Sequence, residues 1–65
     1  MKRARREAQL VAWVVKHPTL LHGDQWREIF RGMQRDGLYS HKTYFMDAQR
    51  GVERAVEGAR AWLKI

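Results

Sequence analysis

SHKTYFMDAQRGVERAVEGARAWL, residues 40–63, carries the most regular hydropathy pattern in the chain. Steps of three and four divide it into rows. Phe45, Gln49, Val52, Val56, Ala59 and Leu63 make a mostly bulky row, and Arg50, Glu53, Glu57, Arg60 and Lys64 a wholly charged one. Between them runs a third, Tyr44, Ala48, Gly51, Ala55, Gly58, Trp62 and Ile65, in which small residues stand between aromatics. This is the period of an amphipathic helix, predicted from Ser40 to about Leu63. Two adjacent apolar rows form a face too wide for one contact. The bulky row is expected against the rest of the chain, and the small row admits a second helix at close range. Gly51 and Gly58 would each cost up to about 1 kcal/mol in an exposed helix, so their spacing of seven implies close backbone contact or a weak helix.

Either the chain's own first helix or the same helix of a second copy could approach that row. A chain of 65 residues is small enough to bury only about 60% of its unfolded surface, which favours association. The expected fold is therefore all-α, a three-helix single domain over residues 1–65 with a long C-terminal helix, paired as a homodimer. Tyr44, Ala48, Gly51, Ala55, Gly58 and Trp62 are the expected interface.

Upstream, Trp26, Ile29, Phe30 and Met33 fall at i, i+3, i+4 and i+7, predicting a second helix over about 24–36. Asp24 is its expected N-cap and Gly37 its left-handed terminator. Gly32 weakens its middle unless packing requires it. A first helix is predicted over about 4–16 from Leu10, Val11, Trp13, Val14 and Val15. It ends at His17-Pro18, because the residue before proline is pushed out of helical geometry. Leu20 and Leu21 in the following connection are expected to turn inward.

Lys and Arg number 13 against 7 Asp and Glu, a net charge of +6, and there is no cysteine. Disulfide staples and thiolate metal sites are thereby excluded. No run of 18 apolar residues exists to span a membrane, and the basic start lacks the apolar stretch of a signal peptide, so a cytoplasmic location is expected. His17, His22 and His41 match no zinc spacing, and no metal or cofactor is expected. No nucleophile context or phosphate-cradling glycine loop occurs, and so short a chain can hardly wall in a deep pocket. The protein is expected to act by binding, not catalysis.

Half of the charge excess lies in residues 1–10, where Lys2, Arg3, Arg5 and Arg6 oppose only Glu7. Residues 1–6 are either a solvated arm or the site of an anionic partner. Nucleic acid, DNA first, is the favoured partner, since cations that neutralise phosphates gain affinity by releasing counterions. Arg35, His41 and Lys42 are the expected second contacts, with Ser40–Thr43 heading a reading helix after a turn at Gly37-Leu38-Tyr39. This helix-turn-helix is imperfect: Met33 stands where a small residue is usual and Thr43 where a branched apolar one is. The rival class is an adaptor or inhibitor docking on a host protein through exposed aromatics, for which Trp13, Tyr39, Tyr44 and Trp62 are the side chains to consider. Binding of residues 2–16 to a membrane surface is a lesser alternative, as the cations cluster at one end instead of along one face.

Overall fold

The computed structural model describes the backbone of residues 2–22 and 25–65, with side chains from residue 5 onward within those ranges. Three α-helices follow in order: α1 (Lys2–Val15), α2 (Trp26–Arg35) and α3 (Phe45–Leu63), with a 3₁₀ turn at Pro18–Leu21 between the first two. The described residues contain no strand. The radius of gyration is 10.8 Å, against about 10.7 Å expected of a compact chain this long.

The core is drawn from all three helices. Leu10, Trp13 and Val14 of α1 meet Ile29, Phe30 and Met33 of α2, while Ala48, Val52, Ala55, Val56 and Ala59 of α3 lie beneath both. Leu21 joins them from the 3₁₀ turn, with Leu20 half-buried beside it. Arg60, a member of the wholly charged row, fixes this turn by donating from Nη2 to the Leu21 carbonyl at 2.7 Å.

The small row of α3 is filled from within the chain. A Cβ on Gly58 would lie 2.8 Å from Val11 Cγ2, and one on Gly51 would lie 2.8 Å from the Tyr39 hydroxyl. Ala48 and Ala55, between and beside them, are buried. Thus Ala48, Gly51, Ala55 and Gly58, expected at a dimer seam, serve close approach inside one copy; Tyr44, Trp62 and Ile65 of that row remain exposed. A second copy could use this seam only if α1 left it. Gly32 has a packing reason of the same kind, because its missing side chain makes room for the Trp13 ring.

The levels of these contacts fix a direction. Glu7 lies by Arg54, Val11 by Gly58, and Val15 with Trp62 lines the same trough. α1 and α3 are therefore parallel, and their N-termini share one end of the bundle.

Helix boundaries differ from the sequence reading where side chains compete for backbone groups. α2 ends as expected: Gly37 has φ 83°, and Leu38 and Gly37 N–H groups donate to Met33 and Gln34 carbonyls at 2.7 and 3.1 Å, the paired bonds of a glycine-terminated helix. At its start Gln25 is the N-cap and gives no side-chain bond; Asp24 lies outside the described residues. α3 begins at Phe45, not Ser40. The Ser40 hydroxyl accepts from the Lys42 N–H at 3.1 Å and the Ser40 carbonyl from the Thr43 N–H at 3.0 Å. Gln34 Nε2 donates to the Ser40 and Thr43 carbonyls at 3.0 and 3.2 Å. These local bonds offer the backbone an alternative to the helix, as serine commonly does.

Candidate binding surfaces

The helix-turn-helix expectation fails on this geometry. Residues 36–44 separate α2 from α3, where that motif allows a turn of about three or four residues. Ser40, His41, Lys42 and Thr43 lie in this connection and not at the head of a helix.

The basic N-terminal segment is helical from Lys2 onward and continuous with the rest of α1. The side chains of Lys2 and Arg3 lie outside the described residues. Arg5 is exposed. Arg6 turns inward: its Nη2 donates to the Leu38 carbonyl, and its guanidinium carbon lies 4.8 Å from the centre of the Tyr39 ring. A phosphate contact for Arg6 therefore gives way to an internal one. Sequence holds the signal for this, since Arg6 shares one helical stripe with Leu10, Trp13 and His17, and Leu10 and Trp13 are core residues.

Arg6 heads a continuous stack. Tyr39 meets Phe30 with ring centroids 5.4 Å apart, Phe30 meets Phe45 at 5.7 Å, and Arg27 closes the far end 4.7 Å from the Phe45 centroid. Cations over aromatic faces contribute about 0.5–1 kcal/mol each at partly exposed sites. Burial raises the Tyr39 hydroxyl above its ordinary pKa, and the nearby Arg6 charge opposes part of that rise. The stack fastens the α2–α3 connection to the beginning of α1.

Of the remaining basic residues singled out from sequence, His41 and Lys42 are exposed in that same connection. Arg35 is exposed at the far end of α2, its Nε 3.8 Å from Asp36 Oδ1. Lys2, Arg3 and Arg5 thus lie in the first turns of α1, and His41 and Lys42 are exposed four and three residues before α3 begins; Arg35 lies apart, near Gly32 and the Trp13 ring.

Trp13 is only 7% exposed. Its indole N–H donates to Asp36 Oδ2 at 2.6 Å, and its ring stacks on His17 with centroids 3.8 Å apart. His17 Nδ1 lies 2.7 Å from the Trp13 carbonyl; because a carbonyl only accepts, this nitrogen carries the proton and is not a free metal ligand. Among the described residues no cluster of three or more His, Cys, Asp or Glu could hold a metal, and no helix is long and apolar enough to cross a membrane. Of the four aromatics considered for docking, Trp13 is buried and Tyr39 half-buried, while Tyr44 and Trp62 are 75% and 71% exposed.

Comparison with family models, curated proteins and solved structures finds no match to this chain.

Proposed function

We propose that this protein is a small DNA-binding regulatory or accessory protein that grips the phosphate backbone with the end of the bundle where α1 and α3 begin. The observation that carries the reading is the parallel pairing of those two helices. It sets two N-terminal poles, each equivalent to roughly half a positive charge, side by side. α1 has no acidic residue in its first turn. Lys2, Arg3 and Arg5 occupy that turn and the next, and His41 and Lys42 stand in the neighbouring connection. Each cation so placed opposes the helix dipole by a few tenths of a kcal/mol, a cost that a bound anion reverses. Backbone contacts of this kind position a protein on the duplex and carry no sequence code. The protein acts by binding, and no reaction is assigned to it.

Fluorescence anisotropy with a labelled duplex of about 20 base pairs tests the reading. With phosphate contacts from Lys2, Arg3, Arg5 and Lys42, the slope of log affinity against log salt is about −3.6, a fall of about 150-fold between roughly 50 and 200 mM salt. Replacing Lys2, Arg3 and Arg5 together with Gln should flatten the slope by about 2.7. Arg6 is left in place, because its loss would disturb the fold. Absence of binding at the lower salt, or a slope unmoved by the triple substitution, overturns the reading.

A second reading, docking on a protein, is favoured by one specific feature, the surface around Trp62.

A further inference from the structure

Between α1 and the C-terminal half of α3 lies an open trough of about 550 Å³. Ala8, Val11, Ala12 and Val15 form its floor, and the Trp62 ring stands at its α3 wall. Ala8 and Ala12 are exposed, Val11 and Val15 half-buried. Single exposed apolar residues need no explanation, but these five adjoin one another on a chain otherwise rich in surface charge. The trough runs from Glu7 to Lys16, about 13 Å at the rise of an α-helix. That length takes two to three turns of a second helix presenting apolar anchors at i, i+3 or i+4, and i+7.

Charge decides what lies there. Along the rim away from α3, Arg5 stands three residues before Ala8 and Lys16 four after Ala12, both exposed. On the α3 side, Glu7 already faces Arg54 at 3.9 Å. One rim is therefore positive and the other neutralised internally. A second copy suits this poorly. An antiparallel pair about a two-fold axis brings like rims together, Arg5 near the partner copy's Lys16; a parallel pair sets the two basic N-terminal turns side by side. A phosphate backbone has no apolar face to dry Trp62. The geometry points to a helix of a different protein, apolar on one face and acidic along its edges, seated over Ala8 and Ala12 with Trp62 against its flank. This surface goes beyond the phosphate-binding end and shares only Arg5 with it.

The test uses the full chain and two synthetic helical peptides with identical leucine anchors, one flanked by Glu and one by Lys, each titrated by fluorescence anisotropy. The Glu-flanked peptide should bind in the micromolar range and the Lys-flanked one at least about tenfold more weakly. Ala12→Glu and Trp62→Ala should each weaken the Glu-flanked peptide by about tenfold or more. Both positions are exposed, so circular dichroism and melting should stay as in the native chain, and duplex binding should survive Trp62→Ala. Equal binding of the two peptides, binding indifferent to both substitutions, or no binding overturns the proposal. So does a native dimer, seen by sedimentation, that Ala12→Glu dissociates, since a second copy would then occupy the trough.

Discussion

Replacing Gly32 with Ala puts two physical effects in direct opposition. By helix propensity alone, alanine at a mid-helix glycine stabilises by about 1 kcal/mol. The added Cβ, however, would lie 2.5 Å from both Cζ2 and Cη2 of Trp13, well inside van der Waals contact. Relief requires the indole to move. It is held on three sides: Nε1 donates to Asp36 at 2.6 Å, the ring stacks on His17, and its remaining surface is core. Overpacking of this kind costs about 1–3 kcal/mol, and weakening a hydrogen bond to a carboxylate adds up to about 1.5–3 kcal/mol. Setting these against the propensity gain leaves Gly32→Ala destabilised by about 2 kcal/mol, a midpoint lower by roughly 10 °C for a domain of this size. Urea denaturation and thermal melting followed by far-ultraviolet circular dichroism measure it. In a Trp13→Leu background the obstruction is gone, and the same Gly32→Ala change should stabilise by about 1 kcal/mol. A Gly32→Ala variant as stable as the native chain would refute the role given to the Trp13 wedge.

Two neighbouring arginines should separate cleanly. Arg6→Gln loses the bond to Leu38 and the contact with Tyr39, for about 1–2 kcal/mol of stability in urea, whereas Arg5→Gln, at an exposed site, should stay within about 0.5 kcal/mol of native; equal effects would place Arg6 in solvent. Tyr39 supplies a pH dependence. Its folded pKa is raised by burial despite Arg6, so below the unfolded value both states hold the proton. As pH climbs past about 10 the unfolded chain releases its proton first, and stability falls until the folded group also titrates. Tyr39→Phe should reduce that alkaline loss, read as a smaller drop in urea midpoint between neutral and alkaline pH than in the native chain.

How much of this was legible in the sequence follows from the range of the forces involved. Local signals held: the proline stop after α1, the Gly37 terminator, the stripe through Trp26, Ile29, Phe30 and Met33, and the demand of Gly32, Gly51 and Gly58 for close neighbours. What periodicity lacks is the identity of the neighbour. The same small row serves an intramolecular or an intermolecular helix equally well, and that Val11 of the same chain lies against Gly58 is seen only in three dimensions. The start of α3 slipped by five residues, from Ser40 to Phe45, because Gln34 reaches across from α2 to hold two carbonyls of the connection. No local propensity contains that bond. The basic segment was read for its charge, which hid that one of its members, Arg6, lies on the buried stripe.

That a marginal core tolerates two parallel helices with cations gathered at their shared positive end bears on the binding site. Asp47 in the first turn of α3 offsets part of that pole, but α1 has no such residue. An acid at position 2, 3 or 5 would relieve the repulsion without touching the packing of Leu10, Trp13 or Val14. The fold alone therefore does not require basic residues at those three positions, whereas at position 6 it does, through Leu38 and Tyr39. Substituting acids there should raise stability by some tenths of a kcal/mol per position and remove duplex binding together. Gain of stability with binding intact would mean that the cations at the start of α1 serve neither the fold nor the phosphates.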